Sequence, residues 1–397
     1  MDNQHAVSAL DGLLVVELGH VLAGPFAATL LGDFGAEVIK IERPNVGDGQ
    51  RTMGPSVGSS PLWFSVLGRN KQSVTLDIKS SEGNELLCEL LTSADVLIEN
   101  FKPGTLERLG LTTEVLEALN PRLILLRISG FGQTGPYSSR KGFGKVAEAF
   151  SGATNLTGDP AGIPFHPGYS LGDLTAGMLG AFGILVAVQE RTRTGKGQII
   201  DLALYEALFR MIEWQIPIRV ATGKSVERTG NKFPFDGAFS TDVYATADAQ
   251  FVAVSASSPR LILALDAFVR ERTPDMTAPS PAPARVLTDA LGKWIATREA
   301  LSAIAELDEA GIIAGLIYTP DLLLKDPHVK ARNNIVVVKD ADGSPISMPN
   351  AMPYLSRTPG EVKWPAPALG AHTDEVLRRR LHVTEERLAL LREQGII

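Results

Sequence analysis

The chain has 397 residues and a single cysteine, Cys88, so it can form no intramolecular disulfide; this fits a reducing compartment. Cys88 lies in the helical-looking "EGNELLCELL", where a small buried thiol is the expected role. No basic-then-apolar leader opens the sequence, and the longest uncharged apolar run, 174–188, is shorter than the roughly 20 residues of a membrane helix. Nor is there an excess of positive charge. With 38 basic and 45 acidic residues the net charge is -7, which gives no global attraction to nucleic acid or an anionic membrane surface. A soluble cytoplasmic protein is expected, with no nucleic-acid or membrane partner. The first glycine-containing turn, "GHVLAGP", lacks G-x-G-x-x-G spacing; no G-x-x-x-x-G-K-[ST] loop and no G-x-S-x-G elbow occur. The six histidines (5, 20, 166, 328, 372, 382) show no H-E-x-x-H spacing, and one cysteine excludes a Cys-rich zinc site, so no metal is expected.

What is present is apolar residue in quantity, 44% of the chain, enough for a large core and about two or three domains. "LLVVEL" (13–18), "AEVIKIE" (36–42), "SVTLDI" (73–78), "DVLIEN" (95–100) and "RLILLRISGF" (122–131) read as strands. Helical segments alternate with them: "AGPFAATLLGDFG", "SEGNELLCELLTSA" with Ser81 as N-cap, and "TTEVLEALN". Strand and helix in alternation predict an open, mainly parallel, Rossmann-like α/β sheet. Beyond 205 the pattern changes. "YEALFRMIEWQIPIRVATG" predicts one long helix ending at Gly223, and "TDVYATADAQFVAVSAS" and "NNIVVVKDADGSPISMP" predict hairpins. No internal repeat is evident. The expected layout is a large α/β domain at 1–205, a linker helix at 206–224, a smaller α+β domain at 225–325 and a C-terminal segment at 326–397.

The most unusual stretch is "GYSLGDLTAGMLGAFGILVAV" (168–188), where Asp173 opens the most apolar helix. A carboxylate at a helix start is stabilised by free N–H groups and the helix dipole, so a plain N-cap accounts for it on spacing alone. The helix is apolar all round, which predicts burial. Gly177, Gly180 and Gly183 fall near one face and suit close helix packing. A carboxylate at the end of such a helix, after the Gly- and Pro-rich "GIPFHPGYSLG", would face a desolvated pocket, where a carboxylate can act as a nucleophile.

These residues carry a resemblance. "LLVVELGHVLAGPFAATLLGDFGAEVIKIERP", "NKQSVTLDIKSSEG", "ADVLIENFKPGTLERLGL", "LNPRLILLRISGFGQTGPY", "AEAFSG", "YSLGDLTAG" and "GAHTDEVL" follow one another as in the family III CoA-transferases. That group contains formyl-CoA transferase, the carnitine CoA-transferases and the α-methylacyl-CoA racemases. The resemblance implies an aspartate nucleophile at Asp173, acting through aspartyl anhydride and aspartyl-CoA thioester intermediates. It implies CoA contacts by Arg43, Asn100, Phe101, Arg108 and Lys141. It places His20 and Trp63 along the active site, although a core histidine and a core tryptophan are the competing readings. An acyl-CoA and a free carboxylic acid are the implied substrates, with no resident cofactor. It also implies an interlocked homodimer whose C-terminal segment returns to the large domain.

Departures narrow the subclass. Racemases of this group carry "GHD" where this chain has "GFG" (142–144), so Phe143 replaces a proton-abstracting histidine, and a phenyl ring takes no proton. Formyl-CoA transferase has glutamine where Leu22 stands and a run of glycines absent from "RTGNKFPFDGAFST" (228–241). Formyl or oxalate specificity is therefore not expected. "GFGKVAEAFSG" resembles members that handle larger acids such as dicarboxylates, and the expected acceptor is a small or dicarboxylic acid. The alternatives are a racemase or isomerase on the same scaffold and a non-catalytic acyl-CoA-binding protein.

Overall fold

A computed structural model describes residues 8–58, 60–232, 234 and 240–397; His5 and part of the 228–241 stretch lie outside them. The chain divides into two compact units: residues 1–152, 167–211 and 327–397 in the first, and 153–166 with 212–326 in the second.

The first unit is built on six parallel strands: β1 (Leu14–Glu17), β2 (Glu37–Glu42), β3 (Lys71–Thr75), β4 (Val96–Glu99), β5 (Ile124–Ser129) and β6 (Ile199–Ala203). Their order across the sheet is β3-β2-β1-β4-β5-β6. The central strands β1, β4 and β5 are mostly apolar runs because a parallel sheet is covered on both faces. Alternate residues serve the two faces. Leu14, Val16, Ile39, Ile41 and Leu97 point into one core and Val15, Val38, Val96 and Ile98 into the other. The second face is covered by α1 (Ala23–Asp33) and by a long helix, Leu171–Thr194. The first face is covered by the helix Ser81–Leu91 and by C-terminal residues including Val376, Leu377, Leu388 and Leu391.

The second unit has an antiparallel three-stranded sheet, Ser240–Ala245, Phe251–Ala256 and Ile313–Leu316, with Phe251–Ala256 in the middle. Leu265, Phe268, Leu287 and Leu291 from its helices fill its core. The Arg228 guanidinium donates to the carbonyls of Asn155, Asp159 and Gly162 at 2.9, 2.8 and 2.6 Å, which ties segment 153–166 into this unit.

Four local expectations change. The cap of helix Ser81–Leu91 is Ser80, whose hydroxyl accepts the Gly83 N–H at 3.0 Å; Ser81 is already inside the helix. The long helix expected near 205–223 is two, Leu204–Met211 and Gln215–Thr222, with Glu213 at φ 41° between them. Pro217 explains the break: it has no N–H to bond back four residues, so it is tolerated only in the first turn of a new helix. The run 174–188 sits inside a 24-residue helix that is long and apolar enough, by length and composition alone, to cross a membrane. That helix is not buried all round. Ala176, Gly177, Gly180 and Ile184 face the core, while Met178, Phe182, Leu185 and Val186 are 55, 62, 42 and 51% exposed.

Candidate active site

In the order β3-β2-β1-β4-β5-β6, the neighbours β1 and β4 send the chain to opposite faces. The helix after β1 lies on one face, and Leu106 and Leu116, beyond β4, pack on the other. Open α/β sheets hold ligands in the crevice beyond the carboxyl ends of such a pair. Two sequence-predicted groups meet there. The Asn100 side chain, just past β4, accepts the His20 N–H at 2.7 Å and donates to the His20 carbonyl at 2.8 Å. The His20 ring lies 5.6 Å from the Phe101 ring. Burial, and then the nearby Lys40 ammonium, push the His20 pKa below its usual value, so the imidazole is neutral at pH 7.

The long helix, α3 here after α2 (Gly144–Phe150), begins with Ser170 as its cap residue, whose own side chain makes no cap bond. Asp173 is the third helical residue and is not the cap. Its carboxylate lies against Gly144, the first residue of α2: a Cβ on Gly144 would fall 2.0 Å from Asp173 Oδ2. Beside it, Glu148 is 1% exposed and accepts the Gly172 N–H at 3.0 Å. Lys145 pairs with Glu148 at 3.0 Å and also donates to the carbonyls of Pro167 and Tyr169 at 3.0 and 2.8 Å, fixing the chain that enters α3. Burial and repulsion from Glu148 raise the Asp173 pKa to about 6, with Lys145 opposing. One turn further along, a Cβ on Gly177 would lie 2.7 Å from the Ala23 carbonyl. The Asp173 end of α3 therefore packs beside the start of α1, next to the turn that carries His20. The start of α2 thus meets the Asp173 carboxylate, and the start of α1 meets α3 one turn further along.

Leu22 is buried at the cap position of α1. Phe143 caps α2 and is 79% exposed, adjoining Gly144. Arg43 is exposed immediately after β2. Arg108 is exposed and donates to Thr105 Oγ1 at 2.8 Å. Lys141 is exposed two residues before Phe143. Trp63 sits on the short helix Leu62–Leu67, 40% exposed, and the neighbouring Leu62 and Val66 pack with hairpin residues Ile346 and Met348. Cys88 is half-buried, and burial raises its thiol pKa, which does not suit a nucleophile.

The family model of CoA-transferase family III matches residues 10–373. The chain belongs to CoA-transferase family III. Over its full length it is 41% identical to the whole succinyl-CoA–D-citramalate CoA-transferase of Chloroflexus aurantiacus. It is 37% identical, again with both chains fully covered, to the β subunit of that organism's succinyl-CoA–L-malate CoA-transferase. Among solved structures, a CAIB/BAIF family protein from Brucella suis superposes with a TM-score of 0.83 at 32% identity, covering 94% of this chain and 99% of that one. CoA-transferases take CoA thioesters as substrates.

Within this CoA-transferase, His20, Leu22, Asn100 and Phe101 stand together at the crevice, and Asp173 stands by Gly144 and Phe143. Arg43, Arg108, Lys141 and Trp63 are distributed around the surface. Asn100 spends both ends of its amide on the His20 backbone. Sequence reasoning overlooked Gly144, Lys145 and Glu148, although "AEAFSG", which contains Glu148, belonged to the resemblance. It also overlooked the buried charges beneath the first turn, Glu17, Lys40, Asp48 and Lys71. A lysine inside the apolar strand "AEVIKIE" was the available signal.

Proposed function

We propose that this enzyme moves CoA from an acyl-CoA donor, such as succinyl-CoA, to a small or dicarboxylic acid, with Asp173 as the nucleophile. The observation that carries the reading is the setting of Asp173: a carboxylate in the first turn of α3, desolvated enough to titrate near 6 and wedged against the glycine that starts α2. It is mostly ionised at neutral pH, and its poor solvation leaves it reactive. In the first step an Asp173 oxygen bonds to the thioester carbonyl carbon and the C–S bond breaks, giving an aspartyl mixed anhydride and CoA thiolate. The thiolate then attacks the aspartyl carbonyl, releasing the donor's acid and leaving an aspartyl-CoA thioester. An acceptor carboxylate displaces CoA to form a second anhydride, and CoA takes the acceptor acyl group and frees Asp173. Among the described residues no capping side chain bonds the first turn of α1, and in α3 Ser170 makes no cap bond while Glu148 takes the Gly172 N–H, which makes the first N–H groups of α1 candidates to hold the oxyanion of each tetrahedral intermediate. Arg43, Arg108 and Lys141 supply cations for the CoA phosphates, and His20, Leu22, Trp63 and Phe143 line the acyl side.

The acceptor class rests on the relatives, whose names specify citramalate and malate. Phe143 in place of an imidazole disfavours racemisation. The exposed apolar face of α3 supports a homodimer, interlocked as elsewhere in the family. The test is to incubate the enzyme with succinyl-CoA and a panel of hydroxy- and dicarboxylic acids and to read the CoA esters by mass. Acceptor-dependent CoA esters that vanish in Asp173→Ala are expected. Deuterium uptake at the donor α-carbon without any acceptor would instead indicate the isomerase.

A further inference from the structure

Beneath the β1–α1 turn lies a cluster of charges that the reaction itself does not use. Val21 has φ 65°, a left-handed conformation that a β-branched residue seldom adopts. Its N–H is held by the Asp48 carboxylate, at 3.0 and 3.2 Å from the two oxygens. Asp48 is 1% exposed and pairs with Lys40 at 2.9 Å. Lys40, 2% exposed, also pairs with Glu17 at 2.7 Å and donates to the Gly19 carbonyl at 2.8 Å. Lys71, on β3, pairs with Glu17 at 2.7 Å and donates to the Pro25 carbonyl at 2.7 Å. The turn is thus bonded at Gly19, Val21 and Pro25 from below, and at His20 by Asn100 from the side. Burial opposes the Lys40 charge, but Glu17, Asp48 and Glu42 outweigh it and keep the ammonium protonated. Four buried charges are thus spent on the five-residue turn and the first turn of α1. Breaking a buried pair strongly destabilises a protein, whereas an apolar replacement is often neutral. The turn leads directly into Ala23, whose carbonyl abuts α3 one turn from Asp173.

We propose that Asp48, with Lys40, is a positioning residue: it holds Val21 in its left-handed conformation and so fixes His20 and the start of α1 against the Asp173 carboxylate. This rests on Asp173 being the nucleophile. A misplacement near 1 Å at such a site costs on the order of 10²-fold in rate.

The test compares two buried aspartates. Asp33, at the far end of α1, is 2% exposed and pairs bidentately with Arg69 at 2.9 and 2.5 Å, well away from the turn. Asp48→Asn and Asp33→Asn are measured in the full-length enzyme for Tm, steady-state kcat and KM, and single-turnover release of succinate from succinyl-CoA without acceptor. Asp48→Asn is expected to slow release and kcat on the order of 10²-fold with little change in the succinyl-CoA KM. Asp33→Asn is expected to lower Tm at least as much while keeping kcat within about twofold. Equal kinetic losses at matched Tm loss would overturn the proposal. If Asp48→Asn does not fold, Asp48→Glu, which keeps the charge but shifts its oxygens by one methylene, is read in the same way: a slowed release supports positioning, and an unchanged rate overturns it. If the wild-type enzyme releases no stoichiometric succinate, or Asp173→Ala still does, the nucleophile reading fails instead. The steady-state comparison of the two aspartate variants then still judges the role of Asp48.

Discussion

Asp173 owes its character to three neighbours: Gly144, which leaves room for the carboxylate, Glu148, which repels it, and Lys145, which draws it back. Gly144→Ala would drive a methyl into Oδ2, so the carboxylate must turn away. The expected result is a kcat loss on the order of 10²-fold with a small change in Tm, measured by initial rates and thermal melts. The pH profile follows from the sign of the shift. The ionised form is the nucleophile, so log(kcat/KM) should rise with unit slope toward pH 6 and level off above it. Glu148→Gln removes the repulsion and should move that inflection to lower pH. Because the folded pKa is raised, the ionised carboxylate costs stability above about pH 6, and the cost is absent below about pH 4. Asp173→Asn should accordingly raise Tm more at pH 8 than at pH 4. At this scale the sequence marked Asp173 as unusual but presented it as a cap. Only the structure shows Ser170 in the cap position and the carboxylate turned toward another helix.

At the scale of elements, α3 is shaped by its glycines. The Ala23 carbonyl below Gly177 is backbone and cannot yield, whereas Gly180 meets the flexible end of Leu126 at 2.9 Å. Gly177→Ala should therefore cost about 1–3 kcal/mol in urea unfolding and also lower activity, since α3 and α1 must separate. Gly180→Ala should cost less. The central strands were legible because strands buried on both faces read as continuous apolar runs. The hairpins were legible from turns such as "DADG". The break at 212–214 was not, since amphipathic periodicity continues through it and Pro217 was the one contrary sign. Lys40 was legible in principle, because a charge in the middle of a buried strand must find partners. Which partners it finds depends on the neighbouring strand β1, where Glu17 lies 23 residues earlier, and on the turn after β2 that carries Asp48.

At the scale of the whole molecule, periodicity reveals one face of an element and not what covers it. The pairing of a C-terminal helix with the edge strand β3, where Thr373 accepts the Thr75 N–H, is a contact over 298 positions that no local pattern announces. The same holds for the outer face of α3, where Met178, Phe182, Leu185 and Val186 stand exposed. If a second copy covers that face, Phe182→Asp should shift the sedimentation coefficient from dimer to monomer or leave the protein aggregated. An unchanged dimer would remove α3 from the interface.

The central claim is that the acyl group and CoA both pass through Asp173. The enzyme is incubated with succinyl-CoA and then quenched with hydroxylamine, which converts an aspartyl anhydride or thioester to a hydroxamate, and the peptides are mapped by mass. The account predicts one modified carboxylate per chain, at Asp173, and none when succinyl-CoA is omitted. A hydroxamate at another aspartate or glutamate, or none while CoA transfer proceeds, would contradict it.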